Sequence, residues 1–191
     1  MHAPSLHARA KSTCRYAHVI RYRATTDMRR ATKVQFLGAL GFCIASYALT
    51  VEGHLDEDDY EAMCDISATM SCTAVFNSTY AHILSHWGVV PQGHPLDLSL
   101  AVVGMLLYGA YCVAASLWDV IPPVLRKNLF LTVAVGGACF SCYLLYVLKF
   151  ILEDFCIVCT GFHCVNFSML SLAVLEYRSP PPKPLKAAKA L

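Results

Sequence analysis

The chain has 191 residues, of which 57% are hydrophobic and only 15% charged, with a formal net charge of +2. Soluble domains are nearer to roughly 45–50% apolar and about 25% charged. Here the apolar surplus is gathered into long runs, which excludes an ordinary soluble enzyme and indicates one membrane-embedded domain. Ten cysteines do not by themselves establish disulfides, because a buried free cysteine behaves as a small hydrophobe.

In chain order, residues 1–33 form a basic extension that holds eight of the fifteen Lys and Arg residues. Its first 27 residues suit either an organelle-targeting segment or a disordered cytoplasmic extension. The stretch MRRATK from Met28 completes the basic flank of a signal anchor. Four apolar runs follow, at about 34–51, 98–118, 128–148 and 155–175, and none holds an Asp, Glu, Lys or Arg. Each is long enough for a transmembrane helix, which needs roughly 17–25 residues. Gly38, Gly41, Gly104, Gly109, Gly136 and Gly137 let such helices approach closely in lipid. The predicted fold is an all-α membrane protein, a bundle of four transmembrane helices over residues 34–176.

The loop between the first two runs, residues 52–97, contains no Lys or Arg. Its start, EGHLDEDDYEAMCD, carries seven acids and reads as a solvated acidic face. Cys64 and Cys72 follow, and then TAVFNSTYAHILSHW, which is apolar at helical spacing and too short to span. It predicts one amphipathic helix lying at the membrane interface. Arg126 and Lys127 occupy the short second connection, Lys149 the third, and the tail 177–191 is a disordered Pro/Lys-rich segment. Basic residues mark the cytoplasmic side, so both termini are expected there, and the 52–97 loop on the lumenal or periplasmic side. That side is the oxidising one.

Four cysteines thus share the oxidising face: Cys64, Cys72, Cys156 and Cys159. Cys14, Cys43, Cys112, Cys139, Cys142 and Cys164 lie in the tail or inside spans, and the mid-helix pair Cys139 and Cys142 reads as packing. In Cys156-Ile-Val-Cys159, Asp154 is positioned to cap the fourth helix and place Cys156 in its first turn. Unpaired amide N–H groups there favour an anion, and thiolate is the nucleophile of disulfide exchange. A zinc site is the chemical rival, but it wants paired CxxC knuckles, which Cys64 and Cys72 do not make. Cys156, Cys159 and His163 share one helix face, with His163 one turn deeper. A polar side chain inside a membrane points to function, here a contact to a lipid-soluble substrate beside Cys159. The plainer alternative is a histidine bonded to a neighbouring helix. A dithiol at the mouth of a span can pass electrons between aqueous thiols and an apolar oxidant such as a lipid quinone.

The motifs Asp59-Tyr60, Cys64-Asp65, Ser71-Cys72, Val75-Phe76, Ser78 and Asp154-Phe155-Cys156-Ile157-Val158-Cys159, in this order on four spans, closely resemble the vitamin K epoxide reductase family. The resemblance covers about residues 34–176. It implies a quinone pocket capped by the loop and its half-helix. It also implies that Cys159 attacks the quinone or epoxide, that Cys156 resolves the adduct, and that Cys72 and Cys64 relay electrons. The donor would be a thioredoxin-like or protein disulfide isomerase-like partner acting in trans. Phe76 and Ser78 correspond to residues beside the substrate, and His163 stands where vertebrate members carry Tyr. Leu100 stands where they carry Asn. A quinone such as vitamin K is the expected substrate, in the endoplasmic reticulum membrane, with no metal and no nucleic acid. Two other readings stay open: a quinone-dependent disulfide-forming enzyme with no vitamin K role, and a structural membrane protein stapled by a Cys64–Cys72 bridge.

Overall fold

The computed structural model describes residues 6–179 other than 56, 58, 59, 61, 68 and 69, with side chains from residue 28 onward. The expected tail beyond residue 179, and Asp59 of the acidic loop, lie outside the described residues. The chain folds as α1 (Leu6–Gly53), α2 (Cys72–Phe76), a 3-10 turn (Thr79–Ala81), α3 (Ile83–His86), α4 (Leu100–Ser116), α5 (Pro123–Phe150) and α6 (Ile157–Tyr177). The architecture is a helical membrane bundle. The Met28–Gly53 part of α1, α5 and α6 are each long and apolar enough to cross a bilayer, and α4 is a shorter apolar helix. With 17 residues, α4 sits at the short end of what a span requires.

Local chemistry sets the helix starts. Ser99 caps α4 by accepting from the Val102 amide at 3.3 Å. Pro123 opens α5, where its missing N–H is no loss. Arg126 and Lys127, expected in a connection, therefore fall inside the first turns of α5. Helix α1 packs on α4 and α6, and α5 packs on α6. The α1–α4 seam depends on glycine: a Cβ on Gly41 would lie 2.5 Å from the Tyr108 ring, and one on Gly38 would lie 2.9 Å from Cys112 Sγ.

The bundle has two buried ends. Away from the loop, Tyr108, Trp118, Phe130 and Met169 form one core. It is closed by Glu176, which is 1% exposed. Arg126 Nη2 donates to Glu176 at 2.9 Å and Arg30 Nη1 at 2.7 Å. Arg126 also donates to the Trp118 carbonyl at 2.8 Å and lies over the Trp118 ring. This cluster ties the start of α5 and the end of α6 to the middle of α1. At the loop end, the second core contains Ala48, Val51, Phe76 and Ala101 together with Cys64, Cys72 and Cys156. The cysteines of the expected relay are thus core residues of the cap.

Candidate functional site

The cap is built around Asp65. Its carboxylate accepts from Ser71 Oγ at 2.9 Å, from the Cys72 amide at 2.6 Å, from the Thr73 amide at 3.1 Å and from Thr73 Oγ1. Burial works to raise the Asp65 carboxyl. The bonds from Thr73, Ser71 and Cys72 outweigh it and hold the group below its ordinary value. An anion at the start of α2 also meets the helix's free amide groups. Ser71 caps the same helix through the Ala74 amide at 3.0 Å. These bonds hold Asp65 against the start of α2, beside the disulfide that joins Cys64 to Cys72. The ligand atoms of Cys64, Asp65 and Cys72 lie within 4.8 Å of one another. With the two sulfurs bonded to each other, they present no thiolate pair to a metal.

Beyond Cys72 the expected single amphipathic helix is broken into three pieces. Asn77 ends α2, and Ser78 is extended, at φ −76° and ψ 156°. Ser78 Oγ donates back to the Val75 carbonyl at 2.6 Å. The physical reason is the run Asn77-Ser78-Thr79, whose short polar side chains compete with the helix for backbone groups. The pieces are pinned outward: His82 Nδ1 lies 3.0 Å from the Asp97 carbonyl, and Trp87 Nε1 donates to Tyr143 Oη of α5 at 3.4 Å.

Helix α6 starts two residues later than the sequence suggests. Cys156, and not Asp154, is its N-cap, with Sγ accepting from the Cys159 amide at 3.2 Å. The chain enters this turn through Glu153, whose φ of 54° is left-handed. The thiol of Cys156 is fully buried and lies 3.7 Å from Cys72 Sγ. Cys156 and Cys159 are free thiols. One sulfur of each pair is thus in contact with the other pair, while Cys64 is the more accessible member of its own.

Cys159 faces a cavity between α4, α5 and α6, roofed by Phe76 and Tyr80 of the cap. Its volume is about 120 Å³, close to the ~150 Å³ apolar cavity that admits a benzene ring. His163 lines it one turn below Cys159 and is 5% exposed, and neither ring nitrogen has a partner. The plainer alternative, a histidine bonded to a neighbouring helix, is therefore not what the structure contains. Leu100 lines the same cavity.

The structure brings together six of the seven expected site residues: Cys64, Cys72, Cys156, Cys159, Phe76 and His163. It does not bring Ser78, which is not among the lining residues and spends its hydroxyl on Val75. It adds Tyr108, Ser141 and Asn166 to the wall. The sign that could have found Asn166 is the one that found His163: a polar residue inside a span, three positions along the same helix face. Cys139 and Cys142, expected to pack inside the bundle, are both exposed on its outer surface. At that depth the outer surface is apolar lipid, which suits an unionised thiol as well as a protein core does.

Comparison with known proteins gives a consistent picture. Residues 33–174 match the sequence profile of the vitamin K epoxide reductase family. The chain is 30% identical over 140 residues to vitamin K epoxide reductase complex subunit 1 of Rattus norvegicus, covering 70% of this chain and 81% of that protein. The Mus musculus protein of the same name is 31% identical over the same length and coverage.

Proposed function

Because the chain belongs to the vitamin K epoxide reductase family and is a membrane oxidoreductase with paired cysteines, we propose that it reduces a lipid-soluble quinone, or vitamin K epoxide, held beside Cys159. The observation that carries this reading is the line of contacts from Cys64–Cys72, through the 3.7 Å approach of Cys72 to Cys156, to Cys159 at the wall of a cavity with an unpartnered histidine.

In this reading a thioredoxin-like or protein disulfide isomerase-like partner reduces the Cys64–Cys72 disulfide in trans, and its own dithiol becomes a disulfide. The Cys72 thiolate then attacks Cys156 of an oxidised Cys156–Cys159 pair, and Cys159 leaves as thiolate. Cys64 attacks Cys72, which frees Cys156 and restores the Cys64–Cys72 disulfide. The inner pair is now a dithiol. Cys159 attacks the quinone ring, Cys156 displaces the reduced ring, and two electrons and two protons leave as hydroquinone while Cys156–Cys159 is oxidised. With an epoxide the same two electrons and two protons yield quinone and water. The amide that donates to Cys156 Sγ favours negative charge on that sulfur when it acts as nucleophile or leaving group. His163 donates a hydrogen bond to a substrate oxygen, and Phe76 closes the roof over the ring. The loop end is assigned to the lumen of the endoplasmic reticulum, with both termini cytoplasmic, on the support of the basic residues gathered at the opposite end.

Leu100 favours a quinone over the epoxide, because an alkyl side chain in the cavity wall offers no hydrogen bond to an epoxide oxygen. The deciding experiment uses the purified full chain in detergent with dithiothreitol and three substrates: menadione, a short-tailed ubiquinone and vitamin K epoxide. Quinone turnover that Cys159→Ser abolishes supports the reading. Reduction of both quinones but not the epoxide assigns the protein to quinone-dependent disulfide formation. No turnover of any of the three refutes the reading.

A further inference from the structure

Three polar side chains from three helices meet at the inner end of the cavity. Tyr108 Oη of α4 donates to Asn166 Oδ1 of α6 at 3.0 Å, and Asn166 Nδ2 donates to Ser141 Oγ of α5 at 2.8 Å. All three line the cavity, and Ser141 is only 1% exposed. Two donor hydrogens of this cluster are left over after its internal bonds are made. Tyr108 and Ser141 carry one hydroxyl hydrogen each, and the Asn166 amide carries two. The Tyr108 hydroxyl also lies 3.4 Å from the Phe162 carbonyl, with the shorter bond to Asn166, and one Asn166 hydrogen is used on Ser141. The second Asn166 hydrogen and the Ser141 hydrogen have no acceptor among the described residues. The other serines of the spans, Ser46, Ser116, Ser168 and Ser171, each return their hydrogen to the carbonyl four residues back. Ser141 does not, although it is the most buried of them. A buried donor without an acceptor is costly, and here it borders open space.

Asn166 lies three residues below His163 on α6, a rise of about 4.5 Å, so the cavity has polar groups at two heights and apolar walls between them. We infer that Ser141 and Asn166 form a second polar pole of the cavity. His163 takes one carbonyl of a 1,4-quinone, and the Ser141 hydroxyl with the free Asn166 N–H takes the carbonyl on the opposite side of the ring. This deepens the quinone reading and rests on it. The pole fits an oxygen that only accepts, and it sets the depth to which a head group enters the cavity below Cys159. Tyr108 touches no substrate in this arrangement. It is a positioning residue that turns Asn166 Oδ1 away, so that the amide N–H groups face Ser141 and the cavity.

The test is steady-state reduction of menadione by the full chain with dithiothreitol, comparing the parent with Ser141→Ala and Ser141→Thr. Ser141→Ala removes one oxygen and one donor. It is expected to raise KM roughly three- to tenfold with kcat held, the signature of lost ground-state binding. Ser141→Thr keeps the hydroxyl beside the open space and is expected to restore KM. A packing role alone would move the thermal midpoint without this KM-against-kcat split and without rescue by threonine. An unchanged KM in Ser141→Ala, or an equal rise in both variants, overturns the second pole and leaves the quinone reading standing. A parent chain that reduces no quinone overturns both.

Discussion

Replacing His163 with Phe should move stability and activity in opposite directions. In the folded chain the His163 ring is 5% exposed, and neither nitrogen has a hydrogen-bond partner. A buried polar group left unsatisfied costs about 1–3 kcal/mol. A phenyl ring of nearly the same shape carries no such cost, and the adjoining cavity of about 120 Å³ takes up its slightly larger size. His163→Phe is therefore expected to stabilise the protein by about 1–3 kcal/mol, or to raise Tm by roughly 2–4 °C for each kcal/mol in a chain of this size. The same change removes the donor assigned to a substrate oxygen. One neutral hydrogen bond contributes about 0.5–1.5 kcal/mol, so kcat/KM for menadione should fall between roughly twofold and tenfold. The assays are helical circular dichroism against temperature in detergent and menadione reduction driven by dithiothreitol. His163→Tyr, which keeps a donor, should retain most of the activity. A His163→Phe protein that is less stable than the parent and turns over at the parent rate would show that the histidine serves packing alone.

Other consequences follow from the same geometry. Cys159→Ser should abolish quinone reduction, whereas Cys64→Ser should keep much of it with dithiothreitol, because a small thiol can reach the inner pair without the outer relay. Equal loss in both variants, read from initial rates, would break the relay order. Asp65 is held below the ordinary carboxylate value, so its contribution is complete above the unfolded value of about 3.9. It is lost as pH falls through the lower folded value. Asp65→Asn should abolish this acid dependence and speed amide exchange at Cys72 and Thr73 at neutral pH; unchanged exchange there would deny the carboxylate its role. Glu176→Gln leaves Arg126 and Arg30 without their buried anion. Truncating one partner of such a pair costs about 3–5 kcal/mol, so Tm should drop sharply while KM for menadione stays near the parent value.

The sequence made the membrane bundle legible because apolar runs without charge have few alternatives in a chain this short. It made the redox pairs legible because cysteine spacing and the absence of basic residues in the loop coincide. Helix ends were less legible. The run Asn77-Ser78-Thr79 breaks the cap through side-chain bonds to the backbone, which apolar periodicity does not register. Cys156 caps α6 with a thiol, a residue that the usual list of capping side chains omits. Arg126 read as part of a connection, yet it meets Glu176 in the core, because pairing between positions 50 apart leaves no local trace. The polar wall of the cavity was half legible. His163 stood out as a polar group in a span, while the contact of Tyr108, Asn166 and Ser141 joins three helices and leaves no local trace in the sequence.

The central claim is that electrons cross between the two pairs through Cys72 and Cys156, whose sulfurs lie 3.7 Å apart. It is tested most directly by mapping disulfides by mass spectrometry after rapid thiol blocking, in the parent and in Cys159→Ser. The account predicts a Cys72–Cys156 bridge in a fraction of the parent molecules and in a larger fraction of Cys159→Ser. If Cys64–Cys72 and Cys156–Cys159 are the only bridges in the parent, and Cys64–Cys72 alone in Cys159→Ser, the relay does not run through these sulfurs.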